Sequence, residues 1–188
     1  MNRKEAIAYN EQLKNELNSV AVEYGHGETL GSYIVDNHIM VIPEDARKGM
    51  IFLGEKSVSY KPGNIRFDFK NALVAGLELF ASVSKPESIF NYIQLLIVSL
   101  FFIEKAAKVK IEKIEAYIVY LLHKQGAYSI GINEESLISK VKKLYEEKEG
   151  KRLDRGQVVD AINRLYGIKV TDFENGSIFL IETVWLKK

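Results

Sequence analysis

Residues 153–181 read LDRGQVVDAINRLYGIKVTDFENGSIFLI. The stretch opens with the marks of a helix start. Asp154 can accept from the backbone N–H of Gln157 while the Gln157 side chain reaches back to that of Asp154, which is a capping box. Leu153 and Val158 flank the cap as a hydrophobic staple. Val158, Val159, Ile162 and Leu165 then recur on one helical face, and Gly167 is expected to close the helix. Further on, Asn175-Gly176 suits a type I′ turn, because both of its central positions need positive φ. A two-residue turn there sets Val170 opposite Ile181, Lys169 opposite Glu182 and Ile168 opposite Thr183. The Lys169–Glu182 pair carries opposite charges, which supports this register.

Upstream, the spacing predicts a helix over Ile111–Lys124, with Ile114, Tyr117, Ile118, Leu121 and Leu122 as its apolar stripe and Gly126 after it. Ala127–Ile130 reads as a short extended piece. Asn133 is placed to cap a second helix, with Glu134 and Glu135 in the favourable first turn and Leu137, Ile138, Val141, Leu144 and Tyr145 facing inward. Gly150 ends that helix.

Helix, short strand, helix, helix and hairpin, in that order over residues 111–188, resemble the winged helix-turn-helix superfamily. The resemblance implies that the third helix enters the major groove and the hairpin, or wing, meets the DNA backbone. Transferred here, the outward positions are Arg155, Gln157, Asp160, Ala161, Asn163 and Arg164. Arginine can read guanine, and Asn or Gln can read adenine. Lys140, Lys142 and Lys143 on the second helix and Arg152 in the turn would meet phosphates. The candidate DNA-binding set is therefore Lys140, Lys143, Arg152, Arg155, Gln157, Asn163 and Arg164.

The wing argues the other way. Asp172 and Glu174 put acid at its tip, where DNA contact calls for positive charge. Phe173, Ile178 and Leu180 are read onto its outer face, with Val170 and Ile181 on the other. A hairpin apolar on both faces is expected to be covered by protein, so Phe173, Ile178 and Leu180 are candidate protein-interface residues. Two classes of function stay open: a DNA-binding transcriptional regulator, and a protein-interaction subunit of a larger assembly. Salt-dependent DNA binding separates them.

The N-terminal part reads as a mixed α+β domain over residues 1–110, serving dimerisation, sensing or docking. Arg3–Tyr24 is an amphipathic helix ended by Gly25-His26-Gly27. Ser32–Val35 and His38–Ile42, around Asp36-Asn37, read as a hairpin, with further strands at Met50–Leu53, Ser57–Tyr60 and Ile65–Phe69. Asn71–Ser82 reads as a helix. Another is expected from the Ser84-Lys85-Pro86-Glu87 capping box to Lys108, apolar on nearly all sides from Ile89 to Ile103. A helix apolar all round must be buried all round, and a homodimer interface is one way to bury it.

Composition narrows the classes. The chain has 188 residues, no cysteine and a net charge of +1. Divided after Ile111, neither part is basic, so any DNA binding rests on local patches. Without cysteine there is no disulfide, thiolate metal site or cysteine nucleophile. The start, Met1-Asn2-Arg3-Lys4-Glu5, lacks an apolar signal core, and no apolar run is long enough to span a bilayer, so a cytoplasmic protein with no membrane association is expected. His26, His38 and His123 lack metal-ligand spacing, and Asp68 and Glu78 cannot be paired as carboxylates from spacing alone. No nucleophile elbow, Walker loop or dinucleotide fingerprint occurs. The expectation is a binding protein without catalytic residues, metal or cofactor.

Overall fold

The computed structural model describes residues 1–44, 63–81, 87–105 and 110–188, which form an α+β fold. Helix α1 (Arg3–Glu23) starts at a capping box in which Asn2 Oδ1 accepts from Glu5 N and Glu5 Oε2 accepts from Asn2 N. It ends as expected, with Gly25 at φ 78° and His26 N donating to Ala21 O. Its inner face buries Ala6, Tyr9, Leu13, Leu17 and Val20.

The hairpin expected around Asp36-Asn37 does not form. Ser32–Val35 lies inside helix α2 (Leu30–His38), and extended backbone begins only at strand β1 (Ile39–Val41). Packing explains the difference. At Gly31 the backbones of α1 and α2 approach so closely that an added Cβ would lie 2.2 Å from the Leu17 carbonyl carbon. Beside it, Asn18 accepts from Ser32 N at 2.7 Å and donates to Ser32 Oγ at 2.8 Å. Ile34 and Val35, whose branching suggests a strand, are fully buried in the core.

Strand β2 (Ile65–Phe67) pairs antiparallel with β1, Ile39 opposite Phe67 and Val41 opposite Ile65. It is shorter than expected because Phe69 already begins helix α3 (Phe69–Ala81). The other edge of β2 is filled from the far end of the sequence. Strand β6 (Val184–Leu186) pairs antiparallel with it, Ile65 opposite Leu186 and Phe67 opposite Val184. Gly63 is required where the two segments meet, since a Cβ there would fall 1.7 Å from Leu186 O. The strands expected at Met50–Leu53 and Ser57–Tyr60, the turn residues 61–62 and the start of the capping box at 84–86 lie outside the described residues.

Helix α4 (Glu87–Lys105) is the apolar helix. Ile93, Leu95, Leu96, Ile97, Leu100 and Ile103 are all inaccessible to solvent. Helices α1, α3 and α5 (Lys113–Lys124) pack around it. Two of its buried polar groups are satisfied internally, Gln94 Nε2 by Ile111 O and Ser99 Oγ by Leu95 O, both at 2.7 Å, while Glu104 Oε2 is buried without a hydrogen-bond partner. The apolar surface of α4 is covered within one chain, which removes the ground for expecting a subunit interface there.

After α5 come strand β3 (Ile132–Asn133), helices α6 (Glu134–Glu149) and α7 (Arg155–Gly167), and the hairpin of β4 (Thr171–Glu174) and β5 (Ser177–Leu180). These strands form an antiparallel sheet in the order β3-β5-β4. The extended piece expected at Ala127–Ile130 is a turn, and the strand lies two residues later, at β3. Asn133 caps α6 through Ser136 N, and Gly150 closes that helix at φ 66°. The capping box of α7 is present in both directions, and Leu153 and Val158 are buried beside it. Asn175 and Gly176 have φ of 50° and 76° and set the expected register, Thr171 opposite Leu180 and Phe173 opposite Ile178.

That register stops at Val170 and Ile181. Beyond it the expected Lys169–Glu182 and Ile168–Thr183 pairs do not form. Gly167 stays helical, and the left-handed residue that ends α7 is Lys169, at φ 60°. Val170 N donates to Leu165 O and Lys169 N to Tyr166 O, so this segment closes the helix and cannot extend the ladder. Glu182 turns instead to α3: its carboxylate meets Lys70 Nζ at 2.5 Å, and its carbonyl accepts from Lys70 N at 2.9 Å. One apolar core runs from Tyr9 to Leu186 without a break at 110/111.

Candidate functional site

Helix α7, the N-terminal end of α6 and the hairpin form one face of the molecule. Cap, staple and turn place it, since they fix where α7 begins and how the hairpin returns. Val158, Ala161, Ile162 and Leu165 are its buried side, so Ala161, expected outward, is a core residue. Asn163 is exposed, and Gln157 is also at the surface.

Four of the candidate basic residues, Arg155, Arg152, Lys140 and Lys143, lie against acids or amides. Arg155 Nη2 is hydrogen-bonded to Glu135 across the α6–α7 crossing, and that bond holds the Glu135 carboxyl below its ordinary range. Arg152 Nε meets Glu146 Oε1 at 2.7 Å. Lys140 Nζ donates to Gln125 Oε1 at 2.6 Å, and Lys143 lies 4.0 Å from Glu147. Gln157 spends its side-chain oxygen on the backbone of Asp154. Exposed pairs of this kind exchange readily with solvent and contribute little stability. They do lower the local positive potential that phosphate would meet.

Arg164 differs. Its Nε donates at 2.7 Å to Glu115 Oε1 on α5, and Glu115 is only 1% exposed. Burial pushes the Glu115 carboxyl up, and the Arg164 hydrogen bond and charge offset part of that. Glu115 Oε2 has no hydrogen-bond partner. Holding this arginine against a buried acid ties it to the core. Glu115 sits among Ile114, Ala116 and Tyr117, and neither its burial nor its pairing is signalled by spacing.

The proposed interface trio divides. Ile178 and Leu180 are each 1% exposed and belong to the core, so they are not available to a partner. By register they share a face with Thr171, which is also buried, and with Phe173. Phe173 does stand out, at 49% exposed, and Tyr166 on α7 at 55%. Between them is a cleft of about 380 Å³ lined by Glu134, Ile162, Asn163, Tyr166, Asp172 and Phe173, among other residues. Among the described residues its charged side chains are both carboxylates, and no Lys or Arg lines it. Asp172 Oδ1 accepts from Phe173 N at 2.8 Å, which holds that carboxylate along the outer edge of β4. Tyr166 was not singled out from the sequence. Its place in the last turn of α7, off the Val158–Ile162–Leu165 stripe, is the signal that could have found it.

Among the described residues no group of three or more His, Asp or Glu is placed to hold a metal ion. His123 Nδ1 lies 2.6 Å from Tyr128 Oη, and burial raises the Tyr128 hydroxyl to about 12. No described helix is long and apolar enough to cross a membrane. Comparison with family models, curated protein sequences and solved structures finds no match to the chain.

Proposed function

We propose that residues 111–183 are a winged helix module serving a non-enzymatic binding protein, and that its α7–hairpin face docks a partner protein and not DNA. The partner segment is one that brings Lys or Arg beside apolar side chains. The observation that carries this reading is the cleft between α7 and the hairpin. It sets Tyr166 and Phe173 beside Glu134 and Asp172, with no basic residue among the described residues of its lining. Exposed aromatics over a desolvatable cleft are what protein interfaces use as anchors. The two carboxylates match a cation and repel a phosphate chain. On the same face, Arg152 and Arg155 lie against Glu146 and Glu135. The element order by itself favours a DNA-binding regulator, but fold does not choose the ligand.

Two measurements test the reading. Binding to mixed duplex DNA should be weak and nearly flat between about 50 and 200 mM salt, whereas a protein contacting many phosphates loses about a thousandfold or more over that range. A steep loss of this kind would restore the DNA-binding regulator. In the second, a short peptide of alternating Leu and Arg should shift the ring resonances of Tyr166 and Phe173, and its Leu–Glu counterpart should not. Asp172→Asn and Glu134→Gln should each weaken the Arg peptide several-fold. Equal response to both peptides contradicts the assignment.

A further inference from the structure

A second concave site lies on the opposite part of the chain, where the turn after α1 meets the last turn of α3. Gly25, in its left-handed conformation, directs the chain so that the His26 ring packs on Phe80 at 5.2 Å between centroids and edge-on to Tyr92 at 6.3 Å. The Gly31 approach and the Asn18–Ser32 pair hold α2 against α1, which fixes Tyr33. The resulting cleft has a volume of about 760 Å³, lined by His26, Leu30, Tyr33, Glu78, Leu79 and Phe80, among other residues. That volume is in the range of pockets for small organic molecules.

The lining defines the ligand by its charge and its surface. Leu30, Leu79 and the rings of Tyr33 and Phe80 offer apolar and aromatic contact. Tyr33, whose ring packs edge-on to His38, and Leu79 are 44% and 53% exposed. Among the described lining residues Glu78 supplies the one carboxylate, and none is Lys or Arg. His26 adds no positive charge at neutral pH, since burial lowers its pKa below the ordinary value. Glu78 and the ring faces, which are negative, disfavour an anion set beside them. An ammonium group would gain from both, by charge and by cation–π contact.

We propose that this cleft binds a small organic cation, an amine or quaternary ammonium on an apolar body, with the body against Leu30, Leu79 and Phe80 and the charge toward Glu78 and the Tyr33 ring. The site is separate from the α7–hairpin face, and it stands or falls independently of the partner assigned there.

The test uses the full chain and three probes of similar size: benzyltrimethylammonium, benzyl alcohol and phenylacetate. Amide and ring resonances of Gly25, Gly27, Tyr33 and Leu79 report binding. The ammonium probe should bind saturably, about fivefold or more tighter than the alcohol, and phenylacetate should not bind. Glu78→Gln, at an exposed position, should weaken the ammonium probe about fivefold and leave the alcohol unchanged. Tyr33→Leu keeps an apolar wall without a ring and should weaken the ammonium probe alone. The assignment is overturned if phenylacetate binds as well as the ammonium, or if Glu78→Gln makes no difference. It is equally overturned if no localised shift appears up to about 10 mM probe, a concentration at which even fragment-grade affinity registers.

Discussion

The two sheets of this molecule are assembled on different length scales. Strands β3, β5 and β4 come from residues 132–180, and a two-residue turn joins β4 to β5. Strands β1, β2 and β6 bring Ile39, Phe67 and Val184 side by side, so their sheet spans most of the sequence. The first kind of sheet closes a short loop and is specified by its own turn. The second is stable only after everything between its strands has folded, because it must offset a larger loss of chain entropy. The non-local sheet is therefore a tie between the N-terminal helices and the α5–β5 region, added to the packing of α4 on α5, whereas the local one is set by its own turn.

The largest expected effect is on the tie. Leu186 is 2% exposed and pairs with Ile65. Leu186→Ala should cost about 3 kcal/mol in urea denaturation, the usual loss for a buried leucine. Hydrogen exchange should quicken at Ile39–Val41 and Ile65–Phe67 while the Thr171–Leu180 amides keep their protection. Uniform loss of protection would erase the distinction between the sheets.

Next comes the link from α7 into the core. Arg164→Ala leaves Glu115 buried without its cation and should cost about 2 kcal/mol at neutral pH. The sign with pH follows from the direction of the Glu115 shift, which is upward through burial with only partial offset by Arg164. A carboxyl raised in the fold contributes stability that is fully present below its ordinary value and is lost as pH rises through its folded value. Stability relative to Glu115→Gln should thus fall from acid toward neutral pH, and the Arg164→Ala penalty should shrink in acid. A pH-independent difference would mean that Glu115 is solvated.

Smaller effects belong to the hairpin. Asn175→Ala forces alanine into a left-handed conformation and should cost about 1 kcal/mol, read as faster exchange within β4 and β5 alone. The smallest effect has the opposite sign. Lys169 occupies, at φ 60°, the helix-ending position that Gly25 fills after α1 and Gly126 after α5. Lys169→Gly should therefore stabilise by about 0.5–1 kcal/mol in thermal or urea denaturation.

Legibility in the sequence follows the same division. Asp154 with Gln157, Asn133 with Ser136 and Asn175 with Gly176 act within a few residues, and each does what its spacing predicts. Ser32–Val35 misleads because Ile34 and Val35 favour strands locally, while the helical choice is made by α1, across Gly31 and Asn18. Turn arithmetic pairs Glu182 with Lys169, but Lys70, on a distant helix, takes it. For the binding face, the acid at the hairpin tip and the exposed Phe173 were readable. The burial of Ile178 and Leu180 was not, since alternation along a strand leaves open which side a neighbouring helix covers. The arginine–acid pairs were hidden for the same reason: Glu135 and Glu115 lie on other helices.

The pairing of β2 with β6 also sets an order of events during synthesis. Asn64 and Lys188, which are hydrogen-bonded, lie 124 positions apart. On a ribosome adding about 5–20 residues each second, β2 leaves the tunnel many seconds before the strand that will cover it. Throughout that interval Ile65 and Phe67, both sealed from water in the finished fold, have an open edge beside them. An uncovered apolar edge invites pairing with a neighbouring nascent chain. The nascent chain is thus most vulnerable to self-association in the interval before β6 arrives, and chaperone demand should track translation speed through residues 68–183.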